Sequence, residues 1–221
     1  MGRRPPWRGS GAAAHRRCSA GRAIRSAWKW TPNTSSSEDH GLQVSITARN
    51  TGSRSAPYGT GSHPYLDAGA PTVDECTLSL PAARWLPADE RGIPAGEARD
   101  VTGTDADFRT VRPIGDVVLD HALTGLSRDG LGRAWARLAS GSTEVALWAG
   151  QGYHWLQVFT GDTLDATRRR RAVAVEPMTC PPNAFATGTD LIILDLGSSV
   201  THVWGIEVTR RSRPDAPQVT G

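Results

Sequence analysis

Apolar and polar residues alternate with a period of two from Leu42: Leu42, Val44, Ile46 and Ala48 fall on one face and Gln43, Ser45, Thr47 and Arg49 on the other. That is the pattern of a half-buried strand, and Asn50-Thr51-Gly52 closes it with a turn. Further short strands are predicted at 77–80, 134–139, 144–149, 153–160, 172–176, 191–196 and 200–208, with turn residues between nearly all of them. No stretch of ten or more residues carries a helical period. Seven or eight short strands with such punctuation predict an all-β chain, a sandwich or a barrel. The segment 81–113 reads as a long irregular excursion, the kind of loop that often carries function.

Composition agrees. With 24 glycines and 15 prolines in 221 residues, the chain suits many turns and excludes a helical bundle or coiled coil. No apolar run approaches the roughly 20 residues of a spanning helix, so no membrane partner is expected. The net charge of +3 is unevenly spread: eight of the 25 basic residues lie in the first 30, where there is no acid, which leaves 17 basic against 22 acidic side chains in the body. A body of net charge −5 is not built for nucleic acid, and the basic arm lacks any recognition motif. Residues 1–38 have no hydrophobic periodicity and read as a disordered arm. Residues 210–221 read as a polar tail, and 39–209 as the folded body. Cys18, Cys76 and Cys180 are odd in number and widely spaced, which predicts free thiols in a cytoplasmic protein.

Of the six histidines, His15, His40, His154 and His202 are given no role; His154 and His202 sit in strand patterns where packing is the default. His63 lies in Tyr58-Gly59-Thr60-Gly61-Ser62-His63-Pro64-Tyr65, after flexible glycines and before a proline that holds its backbone extended. It reads either as a presented imidazole or as a structural one. Glu176 ends the apolar run Ala172-Val173-Ala174-Val175, and a carboxylate there is costly unless paired or used. Asp120-His121 follows Val117-Val118-Leu119 and reads as an edge turn or a hydrogen-bonding clamp. Arg168 to Arg171 form a basic run that is either a solvated face or a phosphate clamp. No P-loop, GxGxxG, GxSxG or metal-ligand spacing occurs.

Several of these strings, in this order, resemble the aldose 1-epimerases (galactose mutarotases): Asn50-Thr51-Gly52 with Ala56 to Leu66, Leu86-Pro87-Ala88-Asp89-Glu90-Arg91-Gly92-Ile93-Pro94, Asp107-Phe108-Arg109, Leu119-Asp120-His121-Ala122, and Val175-Glu176-Pro177-Met178-Thr179-Cys180-Pro181-Pro182-Asn183-Ala184-Phe185. The resemblance runs from about Leu42 to Val208. It implies a large antiparallel β-sandwich that interconverts the α and β anomers of free hexoses, galactose and glucose among them, with no metal or organic cofactor. It implies Glu176 as catalytic base, His63 as catalytic acid and Asp120 as the anchor of sugar hydroxyls. His40-Gly41 matches the family's earlier His-Gly motif only superficially.

The resemblance also implies further strands ahead of Leu42, so the chain is expected to be amino-terminally truncated. The arm in their place has the composition of a GC-rich gene read out of frame. Two other readings stay open: a truncated, non-catalytic carbohydrate-binding relative, and a phosphosugar 1-epimerase using the arginines at 168–171. The oligomeric state is left undetermined.

Overall fold

A computed structural model describes residues 41–210 and the two-residue strand Ser26–Ala27. The rest of the arm, with His15, Cys18 and His40, and the tail after Arg210 lie outside the described residues. Among the described residues fifteen strands run in chain order: β1 (Ser26–Ala27), β2 (Leu42–Arg49), β3 (Ala56–Tyr58), β4 (Tyr65–Leu66), β5 (Thr77–Ser79), β6 (Ala82–Leu86), β7 (Arg99–Asp100), β8 (Arg112–Pro113), β9 (Asp120–Leu126), β10 (Ala134–Ser140), β11 (Thr143–Ala149), β12 (Trp155–Phe159), β13 (Val173–Met178), β14 (Ile192–Leu194) and β15 (Ser199–Arg210). Helix is confined, among the described residues, to a 3₁₀ turn at Val73–Glu75 and a single turn at Ala184–Thr187.

All pairings are antiparallel. A seven-stranded sheet has the order β1-β2-β15-β11-β10-β5-β8, and a six-stranded sheet the order β4-β13-β12-β9-β6-β7; β14 and β3 form a small third sheet. The period-two pattern decides which side chains meet between the two large sheets. Val44, Ile46, Leu138, Leu147 and Trp204 come from one, and Leu123, Leu156, Val158, Val173 and Val175 from the other, all in one continuous core. Each such side chain contributes about 1.5–3 kcal/mol by leaving water. The predicted sandwich is therefore what forms. Asn50 shows why its turn is placed where it is: 1% exposed, its amide donates to the carbonyls of Arg54 and Leu194 while its Oδ1 accepts from the Gly52 N–H.

Several expectations are corrected. The 81–113 excursion is not irregular throughout, since it contains β6 and β7 and ends on β8. Asp120-His121 opens β9 rather than ending an apolar run, and Glu176 is followed by two more residues of β13. Arg210 belongs to β15, opposite Thr143, and not to a tail. Ser26–Ala27, in the arm expected to be unstructured, pairs with Ala48 and Thr47 of β2, whose far edge would otherwise carry open donors and acceptors.

Pro177 within β13 explains how the strand tolerates a proline. The Pro177 carbonyl accepts from the Ser62 N–H at 3.2 Å. A residue's N and O point to the same side of a strand, so the missing donor faces the 60–64 segment and leaves the β12 ladder intact. The same side of β13 is stitched by the Val175 N–H to the Pro64 carbonyl (3.2 Å) and the Thr179 N–H to the Thr60 carbonyl (2.9 Å).

Candidate active site

The outer face of the six-stranded sheet carries a cleft of about 460 Å³, within the usual range for small-molecule sites. Its floor follows from register. Val173 and Val175 enter the core, so Glu176 and Met178 face outward; Glu176 is opposite Gln157 on β12, and Gln157 is opposite Ala122 on β9. Asp120, two residues before Ala122, shares that face. Trp85, Leu86, His121 and Pro182 complete the lining with the 88–94 turn. That turn is held by Asp89, whose Oδ1 accepts from the N–H groups of Arg91 and Ile93, both at 2.9 Å.

His63 and Glu176 meet although they are far apart in sequence. His63 Nε2 lies 3.0 Å from Glu176 Oε1, with the imidazole 54% and the carboxylate 16% exposed. The three backbone bonds just described carry the 60–64 segment along β13. Gly59 and Gly61 permit the approach: a Cβ on Gly59 would stand 2.6 Å from Cys180 Sγ, and one on Gly61 3.2 Å from Met178 Cγ. The His63 ring stacks on Tyr65 at 5.1 Å between centroids. Burial pushes the Glu176 carboxyl above the ordinary carboxylate range; His63 opposes that rise and the charge of Asp120 adds to it.

Asp120 is joined to this pair through Gln157, whose Nε2–H donates to Asp120 Oδ1 at 2.7 Å. His63, Glu176 and Asp120 thus converge on one region. Gln157 was not legible in the sequence. The alternation of β12 marks it as outward-facing, but only the pairing of β12 with both β13 and β9 puts it between the two carboxylates. Of the aromatic residues available for stacking, Trp85 lines the cleft, Tyr65 backs His63, Trp148 lies in the other sheet beneath the Arg133 guanidinium, and Trp155 is buried with its Nε1–H donated to Asp190.

The basic run is engaged elsewhere. Arg168 pairs with Asp165, and Arg170 pairs with Asp74 (2.6 Å) and Asp162 (2.7 Å) while donating to the carbonyls of Gly115 and Val117. None of the four arginines lines the cleft. His154 is exposed, His202 is buried at 4%, and Cys76 and Cys180 are free thiols. Among the described residues no group of three or more His, Cys, Asp or Glu is arranged to hold a metal ion, and no helix is long and apolar enough to cross a membrane.

A model of the family described as Aldose 1-epimerase matches residues 36–207. The chain is 36% identical over 157 residues to the uncharacterized protein YihR of Escherichia coli (strain K12), in an alignment covering 71% of this chain and 48% of that protein. It is 26% identical over 146 residues to the galactose mutarotase of Sus scrofa, covering 62% and 43%. The crystal structure of a galactose 1-epimerase from Lactobacillus acidophilus NCFM superposes with a TM-score of 0.64 at 20% identity, over 78% of this chain and 54% of that one, which shows a shared fold. The chain spans about half the length of the curated relatives it matches.

Proposed function

Because the chain belongs to the aldose 1-epimerase family, we propose that it interconverts the anomers of free hexoses such as galactose and glucose, with Glu176 as base, His63 as acid and Asp120 as substrate anchor. The observation that carries this reading is the 3.0 Å approach of His63 Nε2 to Glu176 Oε1 at an otherwise carboxylate-rich cleft.

The chemistry asks for that pair. A cyclic hexose carries its anomeric hydroxyl and its ring oxygen O5 on the same carbon, C1. Glu176 removes the proton from the hydroxyl, protonated His63 delivers one to O5, and the C1–O5 bond breaks to give the open aldehyde. Rotation about C1–C2 presents the other carbonyl face to the O5 hydroxyl. In closure His63 takes the O5 proton, Glu176 returns its proton to the carbonyl oxygen, and both groups end as they began. Each proton transfer is worth roughly 10²–10⁴-fold when donor and acceptor lie within about 2.6–3.2 Å. The direct His63–Glu176 contact keeps the proton inventory of the site together until a sugar enters between them. The raised Glu176 affinity for protons makes it a better base than a surface carboxylate.

Neutral sugars suit the lining better than phosphosugars. Asp89, Glu90, Asp120 and Glu176 line the cleft and, among the described residues, no Lys or Arg does, so a phosphate would meet repulsion without a partner. The test is polarimetry of freshly dissolved α-D-galactose and α-D-glucose. The expected result is decay faster than the buffer blank, falling about 10²-fold or more in Glu176→Gln and in His63→Asn. Unchanged rates in both variants refute the assignment. Sugar binding by calorimetry without any acceleration would favour the non-catalytic carbohydrate-binding alternative.

A further inference from the structure

We propose that His121 is a substrate-contacting residue of the cleft, its Nε2–H donating a hydrogen bond to a hydroxyl of the bound sugar. The proposal rests on the epimerase reading and adds to it a group that reading does not use.

The ring's tautomer follows from one contact. The backbone N–H of Asp120 donates to His121 Nδ1 at 3.0 Å. A nitrogen that accepts a hydrogen bond holds no proton, so in the neutral ring the single proton sits on Nε2. No described residue takes a hydrogen bond from Nε2, and His121 is one of the residues that line the cleft. Its orientation is set from the other side by Trp85, 5.1 Å away between centroids with the planes tilted by 46°. Burial holds the ring's proton affinity below the ordinary histidine value, against the charge of Asp120. At neutral pH the side chain is therefore a fixed, uncharged donor.

The balance of donors and acceptors in the cleft gives that donor its use. Asp89, Glu90, Asp120 and Glu176 supply acceptors only. Gln157 has given one of its two amide N–H groups to Asp120, and its Oε1 is buried without a partner. The facing nitrogen of His63 is engaged by Glu176. A sugar hydroxyl both donates and accepts, and a site made of acceptors alone satisfies half of that capacity. His121 Nε2–H is an unclaimed lining donor beside the second amide N–H of Gln157, and unlike the partnerless Trp85 Nε1–H it is not buried. It adjoins Asp120, so one sugar edge can donate to the carboxylate and accept from the imidazole.

The test uses the 221-residue chain with ¹⁵N-labelled histidine and D-galactose. Long-range ¹H–¹⁵N spectra are expected to show His121 with an unprotonated Nδ1 and a protonated Nε2, and galactose is expected to shift the signals of both His121 and His63. In polarimetry, His121→Phe keeps the ring packing on Trp85 without the donor; KM should rise about five- to tenfold, the loss of one hydrogen bond, with kcat changed less than about threefold. His121→Gln, which places an amide N–H near the position of Nε2, should recover part of the KM. His121→Asn, which offers an acceptor to the Asp120 N–H but no donor at Nε2, should not.

Three results overturn the proposal while leaving the epimerase reading intact: a proton on Nδ1, a galactose shift at His63 with none at His121, or rescue by His121→Asn and not by His121→Gln. The last would make His121 a positioning residue for the Asp120 backbone. Should galactose shift neither histidine and the wild-type chain fail to accelerate mutarotation, the epimerase reading falls and this inference with it.

Discussion

Removing the Arg170 side chain tests how the loops that precede β9 and follow β12 are held. Arg170 sits in the 161–171 connection with its guanidinium 13% exposed. It binds Asp162 of the same loop, Asp74 of the 3₁₀ turn, and the carbonyls of Gly115 and Val117. Asp162 in turn accepts from the Thr160 hydroxyl. Arg170→Ala leaves two carboxylates and two carbonyls without this donor. Breaking a fully buried pair costs about 3–5 kcal/mol; the Asp74 carboxylate is 47% exposed and water takes over part of its charge, so the lower end, about 3 kcal/mol, is expected. Backbone geometry adds a second handle, because Arg170 has φ 51°, in the left-handed region. A residue with a Cβ is held there at a cost of roughly 1–2 kcal/mol, from which glycine is exempt. Arg170→Gly should therefore be about 1 kcal/mol more stable than Arg170→Ala although both lose the same contacts. Urea unfolding with an unchanged m-value reads both. A loss under 1 kcal/mol in Arg170→Ala, or a glycine variant no better than the alanine one, refutes the reasoning.

Two further outcomes follow from buried titratable groups. Both ring nitrogens of His202 are buried without partners among the described residues, between Tyr58 and Tyr153, and burial, with His154 adding to it, depresses its proton affinity. The unfolded chain takes up that proton near pH 6.5 while the folded chain resists, so stability is lost as pH falls below about 6.5, with a slope of up to about 1.4 kcal/mol per pH unit. His202→Phe should be more stable by about 1 kcal/mol at pH 7 and flatter in acid, by thermal or urea unfolding from pH 7 to 5; an acid dependence identical to wild type contradicts this. In catalysis, Asp120→Asn removes a charge that raises Glu176. The acidic limb of the kcat/KM profile should move to lower pH while sugar affinity weakens, and a limb that stays in place would show that the two carboxylates do not sense each other.

The parts of the fold that could be read from the chain are those where burial imposes a period. The alternations around Val44 and Ile46, Ala136 and Leu138, and Val173 and Val175 appear as strands because one face enters the core. β6 escaped because it is five residues between Pro81 and Pro87 with Trp85 only partly buried. β9 escaped because Ala122 and Leu123 are buried side by side on opposite faces and Gly125 takes φ 68°, which leaves no period to see. Strands of two or three residues such as β4 and β7 carry no pattern at all. The site divides in the same way. His63, Asp120 and Glu176 lie in strings with local character, whereas Gln157 and His121 acquire meaning only from the register of strands that no local rule pairs.

The backbone bonds that tie the 60–64 segment to β13 also change what kind of object the His63–Glu176 pair is. His63 and Glu176 do not depend on a long loop folding over to bring them within reach; they ride on two adjoining backbones, and their separation is governed by strand spacing. His63 and Glu176 thus form one mechanical piece whose internal geometry is indifferent to where the chain is cut elsewhere. A circular permutant opened at the Asp129–Gly132 turn, where the Gly132 N–H returns to the Asp129 carbonyl, would keep that piece whole, since neither partner nor any of the connecting bonds passes through the cut.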